Sequence, residues 1–154
     1  MKMEALNECD STQDVGKLIN MISHQLKRQT CHPEPESGLT NMQRLVLHYI
    51  LFQAPVNDIY QKDIEKAFQI RRSTATGILQ LLEKNGFIYR ETVEWDARYK
   101  KLMPTKKAME LREQIISHIQ YMEALLRKGI PETDLEVCFR VLKQMSENLS
   151  GGEK

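Results

Sequence analysis

Apolar residues return every three or four positions along most of this chain, a spacing that predicts helices. Val15, Leu18, Ile19, Ile22 and Leu26 mark a first amphipathic helix over residues 12–30. The run His32-Pro33-Glu34-Pro35-Glu36-Ser37-Gly38 stops it, because prolines and glycine break a helix. Thr40-Asn41-Met42-Gln43 then has capping-box spacing: the Thr40 hydroxyl accepts from the Gln43 amide, and the Gln43 side chain reaches back. Met42, Leu45, Val46, Tyr49 and Ile50 carry a second helix that ends by Pro55. Residues 60–67 predict a short helix around Ile64, with Phe68 just beyond. Ser73 is the expected N-cap of the next helix, whose stripe is Ala75, Ile78, Leu79 and Leu82. Asn85-Gly86 closes it, since both residues tolerate left-handed backbone.

At Phe87 the period changes. Phe87 to Val93 is rich in β-branched and aromatic residues, and Arg98 to Met103 is a second extended run. With Glu94-Trp95-Asp96-Ala97 as the loop between them, they predict one β-hairpin. Trp95 at its tip is expected to cover the hairpin's apolar side, the alternative being a contact with the sugar–phosphate edge. A long helix follows from Thr105 to Lys128, striped by Ala108, Leu111, Ile115, Ile119, Met122 and Leu125, and Gly129 ends it. Pro131 opens a last helix with Leu135, Cys138, Leu142, Met145 and Leu149 on one side, which places Cys138 in a core. The expected fold is mainly α with a small β-hairpin wing: a winged helix-turn-helix at residues 40–104 plus long helices at 12–31 and 105–150. The 154 residues fit one domain.

Charge changes the picture only when it is divided. The whole chain has 22 Lys+Arg against 21 Asp+Glu, a net +1 that argues against a nucleic-acid partner. Between Tyr60 and Lys107, however, eleven cations face six anions, giving +5 and leaving −4 for the rest. Cationic charge on the segment that would face phosphates is the footprint of a DNA-binding module.

The run Ile70-Arg71-Arg72-Ser73-Thr74-Ala75-Thr76, followed by Leu82-Glu83-Lys84-Asn85-Gly86-Phe87-Ile88, resembles the recognition helix and first wing strand of the MarR family of bacterial transcription regulators. Trp95-Asp96-Ala97-Arg98-Tyr99-Lys100-Lys101-Leu102 is similar to that family's Asp-x-Arg wing. The resemblance covers residues 12–150 in element order, and its sharp motifs fall within 60–107. Pro104, Ala97 and Lys101 depart from the family pattern, in which Leu, Arg-rich and apolar residues are usual.

The resemblance implies a homodimer joined through the first helix and the two long helices from Thr105 and Pro131 (residues 12–31 and 105–150), with each subunit presenting one winged module to half of a pseudo-palindromic double-stranded DNA operator. It points to Arg72, Ser73, Thr74, Thr76, Gly77 and Gln80 on the recognition helix as DNA contacts. Gln pairs with adenine, Arg with guanine, and a Thr methyl meets thymine. Ser73 as a mere N-cap and Thr74 as a phosphate contact are the plain alternatives. Gly77 fits either a close approach to DNA or close helix packing. On the wing, Arg98 would enter the minor groove with Asp96 orienting it, the plain alternative being a solvated hairpin ion pair, and Lys100, Lys101 and Arg90 would be phosphate neighbours or solvated charges. Such relatives often bind a small aromatic or acidic effector. Here Met21, His24, Met42, Leu45, Tyr49 and Leu111 would line its pocket, although such a stripe is more often plain core. The expected role is a repressor relieved by that ligand.

Other functions find less support. His24, Cys31 and His32, with His118 across a dimer, lack the paired spacing of a zinc site, so no metal and no other cofactor is expected. Cys9 is flanked by Glu8 and Asp10, which disfavour the thiolate of a redox switch. The glycines form neither a dinucleotide nor a phosphate loop, and no G-x-S-x-G or H-E-x-x-H occurs, so no enzyme is expected. The three scattered cysteines suit a reducing cytoplasm. The start of the chain shows no signal peptide. The longest nearly apolar run, Leu45 to Phe52, is far short of the roughly 20 residues of a membrane span. The rivals that stay open are a winged-helix protein-interaction module without DNA binding and a metal- or redox-sensing regulator.

Overall fold

The capping box at Thr40 forms as its spacing dictates. In the computed structural model, which describes residues 14–29 and 38–151, the Gln43 amide donates to Thr40 Oγ1 at 3.3 Å. The Thr40 amide donates to Gln43 Oε1 at 3.0 Å. This opens α2 (Asn41–Gln53), which follows α1 (Val15–Gln29). Then come α3 (Gln61–Phe68), α4 (Arg72–Lys84), the strands β1 (Ile88–Val93) and β2 (Asp96–Pro104), α5 (Lys106–Glu110), α6 (Arg112–Arg127) and α7 (Glu132–Ser150). The chain divides after Glu113 into two compact units.

In the first unit the core lies among α2, α3, α4, α5 and the hairpin. Val46, Leu47, Ile50, Ile64, Leu79, Leu82, Phe87, Ile88 and Leu102 are fully buried there. α4 shows why: Ala75, Leu79 and Leu82 recur at helical spacing on one face, and Ser73, Gly77 and Gln80 lie exposed on another. The strands pair antiparallel, and Leu102 donates its amide to Ile59 O at 2.7 Å, which ties the wing base to the segment before α3. Pro104 is buried opposite Ile88, at the strand end where it blocks no ladder.

The end of α4 is fastened to the start of α5. The Thr105 hydroxyl donates to Gly86 O at 2.6 Å and accepts from the Ala108 amide. The Thr105 amide donates to Phe87 O, and Lys107 Nζ donates to Asn85 O at 2.8 Å. Gly86 turns the chain at φ +76°, where a Cβ would be strained.

Several expectations change. α4 begins at Arg72, with Arg71 at the N-cap position and no side-chain cap, so Ser73 lies inside the helix. Asn85 sits at φ −83°, and Gly86 alone takes the left-handed turn. Phe68 belongs to α3, and the left-handed residue is Gln69 at φ 50°. Only Glu94-Trp95 separates the strands. The long helix from Thr105 is two helices. At Leu111 the amide bonds Ala108 O as well as Lys107 O, which tightens the turn, and the break falls near the edge of the first unit.

The second unit begins at residue 114. Ile115, Met122 and Leu135 are buried, while Leu125, Leu142 and Leu149 are exposed. Cys138 is exposed too, so the α7 stripe is not a core within one chain. In α1 no residue is buried, and Val15, Leu18, Ile19 and Ile22 all face solvent.

One stack in the first unit titrates. The His48 ring lies 4.4 Å from Phe52, whose other neighbour is the Arg112 guanidinium at 4.7 Å. Burial, then the Arg112 charge, push the His48 pKa below its ordinary 6.5. The folded chain therefore takes up a proton less readily than the unfolded chain, and this share of stability is full above pH 6.5 and lost as pH falls through the lowered value. Urea denaturation at pH 7.5 and 5.5 is expected to show a smaller loss for His48→Gln than for the wild type. Equal losses would assign the pH dependence to other groups.

Candidate nucleic-acid interface

The exposed face of α4 and the tip of the wing carry most of the residues expected to meet DNA. On α4, Arg72, Ser73, Thr74, Gly77 and Gln80 are exposed. A Cβ built on Gly77 meets nothing within 4 Å, so close packing inside this chain does not explain the glycine. Thr76 is half-buried, and its hydroxyl accepts from Gln61 Nε2 at 2.9 Å. The same Gln61 amide group donates to Arg72 O at 3.3 Å. Gln61 thus staples α3 to the first turn of α4 and helps set the angle at which α4 is presented. No sequence signal marked it, since the bond spans 15 positions.

On the wing, Asp96 and Arg98 form the expected clamp. Asp96 Oδ1 accepts from the Arg98 backbone amide at 2.9 Å and from Nε at 3.1 Å, and Oδ2 accepts from Nη2 at 2.9 Å. The Asp96 side chain is 19% exposed and that of Arg98 87%. The carboxylate is tucked in and the guanidinium stands out. Bonds from the Arg98 side chain, then from its backbone, hold the Asp96 carboxyl below its ordinary pKa, so the clamp stays charged in neutral solution.

The other basic residues separate into two groups. Arg90 is paired with Glu83 at 3.3 Å, and Lys101 with Asp58 at 3.5 Å and Glu91 at 3.8 Å. These two cations brace the wing internally. Lys101 is thereby accounted for as a brace of the wing. Lys100 is exposed.

Between the wing and the α3–α4 corner lies a groove of about 590 Å³. Lys62, Arg72, Arg90, Arg98 and Lys100 line it with Asp63 and Glu65, and of these cations Arg90 and Arg98 are already paired with Glu83 and Asp96. Its aromatic lining is Tyr60, Trp95 and Tyr99. Trp95 is 68% exposed and lies against Tyr99 at 5.0 Å, so it does not serve as a cover for the hairpin. A positive, partly aromatic groove beside an exposed helix suits a sugar–phosphate strand.

The effector-pocket candidates are less gathered. Met21, His24 and Met42 are exposed, while Leu45, Tyr49 and Leu111 are half-buried. Tyr49 packs edge-on against Phe68 at 5.8 Å. Among the described residues no group of three or more His, Cys, Asp or Glu could hold a metal. Cys9, Cys31 and His32 lie outside the described residues. No helix among the described residues is long and apolar enough to cross a membrane.

Known proteins share this fold. Residues 37–98, which span α2 to the wing tip, match the sequence model of the MarR family. The chain is similar to the transcription regulator MarR from Oenococcus oeni PSU-1, with 30% identity, a TM-score of 0.74, and coverage of 87% of this chain and 99% of that one. It is similar to S. aureus MepR solved in a DNA complex, with 29% identity, a TM-score of 0.79, and coverage of 88% and 98%. It is also similar to a Listeria monocytogenes regulator assigned to the MarR family and complexed with 26mer DNA, with 27% identity, a TM-score of 0.78, and coverage of 91% of each chain. A basic winged module, a family model matched on that module and 30% identity over nearly the whole of a solved regulator together place this chain in the MarR family of winged helix-turn-helix transcription regulators.

Proposed function

We propose that this regulator binds a pseudo-palindromic operator as a homodimer in the cytoplasm and represses transcription until a small aromatic or acidic effector releases it. The observation that carries the DNA reading is the clamp of Asp96 on an outward-standing Arg98 beside an exposed α4. Two similar regulators were solved with DNA. Each α4 would read one major-groove half-site through Arg72, Ser73, Thr74, Gly77 and Gln80, and each Arg98 would enter the flanking minor groove. Thr76 serves the α3–α4 staple first, so its contact with DNA is secondary. The apolar faces of α1 and α7 support the dimer, because a lone chain would leave them in water.

Selection of bound duplexes from a random pool tests the reading, followed by affinity measurements across salt. Binding is expected to weaken steeply as salt rises. No selected duplex, or flat salt dependence, would favour a protein-interaction module instead. Repeating the titration with phenolic acids tests the effector. On the selected duplex, Arg98→Ala is expected to cost about 1–3 kcal/mol of affinity with an unchanged melting temperature. Unchanged affinity would refute the wing assignment.

A further inference from the structure

The register of the wing leaves its key segment without a backbone partner. Thr92 stands opposite Lys100 and Val93 opposite Asp96, so Ala97, Arg98 and Tyr99 face no residue of β1. Such a bulge re-aims side chains, but it does not by itself hold them. An arginine left to sample many positions loses that freedom on binding, at a cost in affinity. Side-chain contacts on either side of Arg98 restrain the bulge.

On one side is the Asp96 clamp. Asp96 belongs to the hairpin itself, so it fixes Arg98 relative to the wing alone. On the other side the Tyr99 ring lies between two aromatic neighbours. Trp95 is 5.0 Å away at a tilt of 36°, and Tyr60 is 6.1 Å away in an edge contact at 82°. The edge contact is an arrangement that aromatic pairs favour, and the tilted Trp95 contact lies within the same range of ring separations. Tyr60 is the residue before α3, and its amide is held by Asp63 Oδ2 at 2.8 Å. The ladder therefore starts on the framework that carries α3, and through Gln61 α4, and ends at the wing turn.

We propose that Tyr99 is the positioning residue of the wing: its ring, seated between Tyr60 and Trp95, sets where Arg98 stands relative to α4 and so matches the wing to the DNA. The inference rests on the DNA-binding reading and adds to it a residue that need not touch DNA. Tyr99 acts through its ring, so Tyr99→Phe keeps the function and Tyr99→Ala loses it.

The test is a double-mutant cycle on a fluorescein-labelled duplex selected by the wild-type full chain, with melting temperatures measured alongside. Tyr99→Ala is expected to weaken binding about tenfold, and Tyr99→Phe less than about twofold. In the Arg98→Ala background, Tyr99→Ala is expected to change nothing further. Trp95 is the sole tryptophan, so its emission in free protein reports the ladder directly. It is expected to shift to longer wavelength in Tyr99→Ala and to stay in place in Tyr99→Phe. Trp95→Ala removes only the outer rung, and its smaller loss is expected to need Arg98 as well. Equal losses with and without Arg98 would make Tyr99 an independent contact and overturn the inference. Unchanged emission in Tyr99→Ala would overturn it through the ladder. If the wild type selects no duplex, or Arg98→Ala binds as well as wild type, the DNA-binding reading of the wing fails and the inference falls with it. An intact Arg98 effect without coupling sinks the inference alone.

Discussion

Replacing Phe87 by alanine is expected to lower the unfolding free energy by about 3–5 kcal/mol. Phe87 is buried where α4, the hairpin and α5 meet. Its amide donates to Leu82 O at the end of α4, and its carbonyl accepts from Thr105 at the head of α5. The Lys107 ammonium sits 4.5 Å from the ring centre while its Nζ donates to Asn85 O. Truncation therefore removes a large apolar side chain, opens a cavity at a three-way junction and strips one partner from a lysine. A typical domain has only about 5–15 kcal/mol in hand, so the winged module would be near its limit. Urea denaturation checks this: the midpoint should fall with little change in slope. Phe87→Leu fills much of the space and is expected to cost less. A loss below about 1 kcal/mol for the alanine would mean that the ring does not hold the junction together.

The sequence was a good guide wherever a local rule decides structure. The capping box at Thr40 depends on neighbours within a few positions and appears as read; of the Asn85-Gly86 pair only Gly86 turns left-handed, and of the stripe Ala75, Ile78, Leu79, Leu82 all but the half-buried Ile78 are buried. It was a poor guide where tertiary contacts outvote local propensity. Ser73 is a better N-cap than Arg71 in isolation. Yet α4 starts two residues earlier than a Ser73 cap would place it, where the Gln61 amide bonds Arg72 O from another helix. The break at Leu111 carries no proline or glycine. It comes where α5, which packs on α2 and β2, gives way to α6. Cys138 misled for a related reason. An apolar stripe says that a face will be covered, and it does not say by which chain.

The same division runs through the candidate site. Asp96 and Arg98 are two positions apart in a hairpin, so their clamp could be read directly from the sequence. Tyr99, Trp95 and Gln61 were not legible as positioning groups. Trp95 and Tyr99 are four apart, but they bracket Arg98 only because three residues of β2 bulge out of register. Tyr60 joins them from 39 positions away, through the fold alone. Lys101 shows the converse. Counted as charge it belonged to the DNA-facing total, and in place it answers Asp58 and Glu91. The +5 of the segment therefore overstates the charge left for phosphates. Binding should depend more on Arg98, Lys100 and the α4 face than on net charge.

Removing residues 129–154 is expected to abolish dimerisation and to weaken operator binding by about 10²–10⁴-fold. Two linked modules on a two-half site gain that factor from effective concentration, without any new contact. The deletion takes away α7, whose Val137, Phe139, Val141, Leu142 and Leu149 are exposed in the single chain. Each apolar Å² left in water forgoes about 25 cal/mol, so a second copy is the partner that such a face calls for. Deletion also removes Leu135, which is buried, so a gentler variant is needed beside it. Leu142→Glu in the full chain serves, because Leu142 touches solvent in the single chain and a buried charge at a symmetric interface would face its own copy. Light scattering gives the mass, circular dichroism the fold, and titration of one half-site against the full site the linkage. Both variants should be monomeric and helical and bind a half-site as well as wild type does, since α4 and Arg98 lie within the first unit. A truncated chain that remains a dimer, or a wild type that is a monomer at micromolar concentration, would remove α7 from the interface. Loss of half-site binding together with the dimer would show that the reading head depends on the assembly, contrary to the separation of the two units.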